Sequence, residues 1–194
     1  MSRLTDWFGK TFNGKRVSLL GLKGGGKSQF LHSLGCKEAN PGTLTSRERY
    51  GWFKIVYPSK TIYIKAGYDI GGGLELFKKS FNKHLINSDW VLFVIDIQKF
   101  INNELDVESI LPYKEMVFAR LDYINDNVSN KFKDKFAIIL THVDLMDKPE
   151  NVLINEFQNA TNSKVYSHLA SQVYSIDARK PEQVKTVFKV IARL

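Results

Sequence analysis

One eight-residue stretch constrains this chain more than any other. Gly21-Leu22-Lys23-Gly24-Gly25-Gly26-Lys27-Ser28 matches the pattern G-x-x-x-x-G-K-[ST] in full. Ahead of it Arg16-Val17-Ser18-Leu19-Leu20 reads as a short buried strand, and after it Lys27 to Leu34 carries apolar residues at helical spacing until Gly35 stops it. In such a strand, turn and helix, glycines let main-chain N–H groups converge where side chains would collide. The helix N-terminus adds the positive end of its dipole, and a turn of this kind takes phosphate. Lys27 is then placed to reach the β- and γ-phosphates of a nucleoside triphosphate, and the Ser28 hydroxyl to ligate Mg2+. Gly21, Lys23, Gly24, Gly25, Gly26 and Gln29 complete the nucleotide-binding stretch. The pattern specifies neither the base nor the reaction.

Length and composition narrow the setting. At 194 residues the chain reads as one domain, long enough to bury a core without disulfides. Cys36 is the single cysteine, so there is no disulfide framework or cysteine-based metal site, and a cytoplasmic location is expected. No apolar run has the length of a membrane span and no signal peptide is visible. The formal charge of +8 suits a polyanionic ligand or an acidic partner. Its basic residues are scattered, without the interleaved aromatic and basic pattern of a nucleic-acid module, so no nucleic acid is expected.

Residues 1–14 form an expected amphipathic arm, with the domain proper at 15–194. On a helical wheel Leu4, Trp7, Phe8, Thr11 and Phe12 share a face, and Asn13-Gly14 ends the helix. Residues 3–12 could lie in a membrane interface or dock on the chain's own domain. Ala39 to Ser46 is turn-rich and reads as a mobile loop. Trp52 to Tyr57 and Thr61 to Lys65 read as strands of a hairpin around Pro58-Ser59-Lys60, and a helix is expected from Leu74 to about Ile86. Trp90 to Asp96 and Phe136 to Leu140 are continuous apolar runs, as in parallel strands covered on both faces. A long helix is expected over Leu105 to Asn127, another from Pro149 to about Gln158, a strand over Gln172 to Ser175 and a terminal helix from Pro181. This alternation predicts an α/β three-layer P-loop domain with a mostly parallel sheet.

Three further signals fall at strand ends, the edge where ligands bind in open α/β sheets. Asp69-x-x-Gly72 pairs a carboxylate, able to hold Mg2+ through water, with a glycine N–H suited to the γ-phosphate. Thr141-His142-Val143-Asp144 ends in a carboxylate able to accept from guanine N1 and N2. Ser175-Ile176-Asp177-Ala178 forms a small-residue loop suited to the base oxygen. With these motifs the chain resembles a small Ras-superfamily GTPase over essentially its whole length. It is most similar to the Arf-like branch, through Asp69-Ile70-Gly71-Gly72 and the aromatic arm. The resemblance implies GTP or GDP with Mg2+ as cofactors, a first switch over 39–50 with Thr45 on the metal and Thr43 in reserve, and a second switch holding Asp69 and Gly72. Loops 39–50 and 69–80 would then meet an effector or regulator protein.

Departures from the family pattern carry as much meaning. The glutamine that orients attacking water is replaced by Gly73, so hydrolysis to GDP and phosphate is expected to be slow. Thr141 shortens the group that ties the base loop to the phosphate loop, and His142 stands for a lysine, as a spacer or stacking ring. Lys23 stands where Ras proteins carry glycine and Arf proteins aspartate. Beside catalytic Lys27 it offers a second cation for transition-state charge, or a stem pointing to solvent. Three functions compete: a GTP-binding switch, a degenerate GTPase domain that docks proteins with nucleotide as a structural cofactor or with none, and a P-loop kinase, which would need an arginine-bearing lid that the sequence does not present.

Overall fold

The computed structural model describes residues 14–37, 39, 47–70, 74–85, 88–105, 111–127, 135–164, 168–169 and 172–193. In chain order the elements are β1 (Val17–Gly21), α1 (Lys27–Leu34), β2 (Arg47–Tyr50), β3 (Phe53–Val56), β4 (Thr61–Ile64), β5 (Gly67–Ile70) and α2 (Leu74–Leu85). They continue as β6 (Trp90–Asp96), α3 (Ile97–Asn102), α4 (Tyr113–Asn127), β7 (Phe136–Thr141), a 3-10 turn (Val143–Leu145), α5 (Glu150–Thr161), β8 (Val173–Ser175) and α6 (Pro181–Ile191).

The apolar runs decide the architecture. β1 and β7 are buried along their whole length, and β6 at every residue after Trp90, as central parallel strands must be. They sit mid-sheet in the order β2-β5-β1-β6-β7-β8, all parallel except β2. Strand alternation then divides the core. Leu20, Phe93, Ile95, Ile138 and Leu140 face a layer built on Phe77, Val117, Leu121, Leu153 and Phe157 of α2, α4 and α5. Leu19, Leu92, Val94 and Ile139 face Phe30 and Leu31 of α1, Val184 and Phe188 of α6, and the β3–β4 hairpin. The three-layer α/β fold expected from the sequence is the one present.

The hairpin closes as its turn residues demand, with Tyr57 N–H on Lys60 O at 2.9 Å. Its ladder extends further than expected. Residues 47–50, read from sequence as loop, form the edge strand β2 against β5, and Tyr50↔Gly67 and Phe53↔Ile64 belong to one register. Polar Arg-Glu-Arg hides this strand, because an edge position needs backbone pairing rather than an apolar face. On the opposite edge of β4 the chain before β1 is paired: Lys15 N–H donates to Tyr63 O at 2.7 Å and Lys65 N–H to Lys15 O at 2.8 Å.

The expected helix over 105–127 is corrected. It begins at Tyr113, because Leu105 pairs with Pro112 in an antiparallel bridge and Pro112 cannot sit inside a helix. A short helix, α3, precedes it, capped by Asp96, whose Oδ1 accepts from Lys99 N–H at 3.1 Å. Of the amino-terminal arm, all but Gly14 lies outside the described residues, and so do Thr43, Thr45 and 71–73. No helix among the described residues is long and apolar enough to cross a membrane.

Candidate functional site

The turn after β1 is built where only glycine fits. Gly21 has φ of 148°, and a Cβ there would lie 2.2 Å from the Val94 carbonyl oxygen on β6. Gly24 and Gly26 have φ of 78° and 86°, in the left-handed region. Gly25 N–H closes the turn on Leu22 O at 3.2 Å. A Cβ on Gly25 would lie 3.2 Å from Leu22 O, so this segment is a cradle that a side chain would fill.

Cations surround that cradle. Lys27 opens α1 but folds back over the turn, buried, with Nζ donating to Leu22 O at 3.0 Å. Lys99, from α3, places Nζ 3.6 Å from where a Gly24 Cβ would stand. Sequence reading did not single Lys99 out; it lies a helix away from any motif. Lys23 is half-buried within the turn, and Ser28 and Gln29 are half-buried on the first turn of α1.

Thr141 connects this turn to the next part of the site. Its hydroxyl, fully buried at the end of β7, donates to Gly25 O at 2.8 Å, with Ile95 O also near at 3.1 Å. The tie expected to be shortened is therefore made. A Cβ on Gly26 would stand 3.3 Å from the same side chain.

His142 follows with φ of 59°, left-handed and uncommon for a residue with a side chain. Its Nδ1 lies 3.1 Å from Thr141 Oγ1 and 3.3 Å from Asp96 Oδ2. A carboxylate only accepts, so this contact favours the Nδ1–H tautomer. The ring, itself one-third exposed, thus joins the buried Thr141 and Asp96 in one polar chain. Asp96 is the residue that sequence reading missed there, since it closes an apolar strand. Burial pushes its carboxyl above the usual carboxylate range, against the opposing pull of His142.

Beyond Thr141 opens a pocket of about 520 Å³, including space open to solvent. Gly26 and Gln29 line one end, next to the glycine turn, while Asp144 and Leu145 stand beyond Thr141 and His142. Asp177, Ala178 and Arg179 close the remaining side. The loop carrying them is fixed from two helices: Ser33 Oγ of α1 donates to Ala178 O at 2.6 Å, and Asp177 N–H donates to Gln183 Oε1 of α6 at 2.9 Å.

The structure divides the expected four-residue base loop. Ser175 does not line the pocket; its hydroxyl donates to Glu150 Oε2 at 3.2 Å. Ile176 is fully buried in the core beside α1 and α6. Their place is taken by Arg179, which donates to Asp177 and, through Nη2, to Asp144 Oδ2 at 2.7 Å. That guanidinium holds the Asp177 carboxyl below the usual carboxylate range. Asp69 stands at the C-terminal end of β5, one residue before its last, paired with Leu19 on β1 and Glu48 on β2.

The fold is a three-layer α/β one with a mostly parallel sheet, of the P-loop GTPase-like type. Among solved structures the chain is similar to a GTP-binding protein from the hyperthermophilic archaeon Sulfolobus solfataricus, crystallised in complex with GDP. The TM-score is 0.56 at 18% identity, covering 92% of this chain and 52% of that one. A mutation variant of the protein named SsGBP is similar too, at a TM-score of 0.56 and 16% identity over 94% of this chain and 58% of the other. The chain spans little more than half the length of these neighbours, and at such identity the likeness is one of fold. No family model matches the chain, and no curated protein does.

Proposed function

We propose that this chain binds a guanine nucleotide, with phosphates in the Gly21–Ser28 turn and the base against Asp144, and works as a GTP-dependent switch. One observation carries the reading: a single pocket runs from Gly26 of the glycine turn to Asp144, bridged by the Thr141 hydroxyl. The GDP held by a protein of similar fold supports it. Lys27 and Lys99 would balance phosphate charge, with Lys23 a further cation at the turn. Asp144 would accept from guanine N1–H and N2–H2, and Ala178 and Asp177 would border the base. Mg2+ would be held by Ser28 and Thr45, and by Asp69 through water, drawing charge from the β- and γ-phosphates. Gly72 would meet the γ-phosphate.

Gly73 in place of a water-orienting glutamine makes unaided hydrolysis slow; rapid multiple turnover by purified protein at 25 °C would overturn that part. The Arf-like pattern Asp69-Ile70-Gly71-Gly72 and the aromatic residues of 3–12 extend the reading to a switch whose arm meets a membrane surface, with an effector on loops 39–50 and 69–80. Equal sedimentation with anionic liposomes of the full chain and one lacking residues 1–14 would refute the membrane contact.

The test of the base contact is Asp144→Asn. Asparagine offers an N–H to the C2 oxygen of xanthine and loses an acceptor for guanine, so preference should move from GDP to xanthosine diphosphate, by tenfold or more at about 1.4 kcal/mol per tenfold. Fluorescence titration reads this, and a variant that keeps its guanine preference refutes the assignment. A second reading, a protein-docking module that holds no nucleotide, draws on the Asp144–Arg179 contact; it predicts no binding of GDP, GTP or ADP by the wild type.

A further inference from the structure

We propose that Arg179 and the guanine base compete for Asp144, so that nucleotide entry exchanges a guanidinium for a base on one carboxylate. The proposal rests on the guanine reading above and adds to it a regulator of that site.

Three contacts fix the geometry. Arg179 Nη2 lies 2.7 Å from Asp144 Oδ2, while Nε and Nη2 lie 3.1 and 3.3 Å from the two oxygens of Asp177. The Arg179 main-chain N–H also donates to Asp177 Oδ1 at 3.0 Å. Two acids bordering one pocket repel, and the planar fork placed between them satisfies both. The two bonds are unequal. Toward Asp177, buried and two residues away, the grip is two-pronged and reinforced by the main chain. Toward Asp144 it is a single bond at a carboxylate with 21% of its side chain exposed, from an arginine with 64% exposed. Asp177 is therefore the anchor and Asp144 the releasable end.

The chemistry of the two competitors is alike. A guanidinium edge and the N1–H/N2–H2 edge of guanine both present parallel N–H donors to a carboxylate. Arg179 lines the same pocket as Asp144, so it approaches the acid from the side a base must use. Adenine, without that donor edge, has nothing with which to displace it. The contact thereby sharpens selection among bases, because only guanine replaces the bond that it breaks.

The experiment is stopped-flow mixing of nucleotide-stripped full-length protein with N-methylanthraniloyl-GDP, comparing wild type, Arg179→Ala and Arg179→Lys. Release of an exposed ion pair of ordinary strength makes association of the alanine variant about two- to five-fold faster, with dissociation changed by less. The lysine variant falls between, since an ammonium cannot hold two carboxylates in one plane. Unchanged or slower association, or a change mainly in dissociation, overturns the proposal, because a steadying role would act on release. Should the alanine variant fail to fold, the lysine variant decides alone: association faster than wild type supports the competition, and association equal to or slower than wild type refutes it. If wild type and variants alike prefer neither GDP nor ADP, the guanine reading itself has failed and the competition with it.

Discussion

Replacing Thr141 by valine keeps the shape of the side chain and removes one oxygen. That hydroxyl has a single proton, and the 2.8 Å bond to Gly25 O is its better acceptor, with Ile95 O sharing it at 3.1 Å. Thr141 is 0% exposed, so water cannot replace the lost donor at Gly25 O. An unsatisfied buried carbonyl costs about 1–3 kcal/mol, so Thr141→Val should lower stability by about 2 kcal/mol, roughly thirty-fold in the folding equilibrium. Urea denaturation with an unchanged slope measures it. Thr141→Ser is the control, since it keeps the oxygen and gives up only a methyl. The serine variant should therefore be the more stable of the two. A valine variant within about 0.5 kcal/mol of wild type, or one more stable than the serine variant, would show that the bond between β7 and the turn carries no energy.

Two further outcomes follow from contacts on the same edge. Gly21→Ala puts a carbon 2.2 Å from the Val94 carbonyl oxygen, so the β1–β6 pairing must part, at about 3 kcal/mol or more; a soluble variant with wild-type urea midpoint would refute this. Asp96 gives a pH signature. Because burial raises its carboxyl pKa, the native state holds that proton more tightly than the unfolded chain, and stability falls as pH rises from the ordinary carboxylate value through the raised one. Asp96→Asn keeps an acceptor for Lys99 N–H and removes the titration, so urea midpoints should lose that fall as pH rises above the ordinary carboxylate value; a slope equal to wild type refutes the assignment.

What the sequence reveals here depends on whether a residue's type dictates its place. The strand, turn and helix around Gly21–Ser28 were legible, because no other residue tolerates those backbone angles and close approaches. So were β6 and β7, since strands buried on both faces admit little but apolar side chains. Edge strand β2 was hidden by its charged residues, and the start of α4 was set by Pro112 pairing back with Leu105. Of the loop after β8, the sequence shows the small residues but not which way each one turns. Strand alternation sends Ser175 toward Glu150 and Ile176 into the core, leaving Asp177, Ala178 and Arg179 at the pocket. Asp96 and Lys99 could be found only in three dimensions, because what makes them matter is the neighbouring turn rather than any local pattern.

Lys15 has a mechanical consequence. Seated between Tyr63 and Lys65, it splices the polypeptide ahead of the first strand into the hairpin through two short amide contacts. Tension applied upstream of Gly14 would therefore be felt in β4, and through the shared register in β2 and β5, while β1 was still seated. Lys15 and the hairpin have to shift as one body or break that splice.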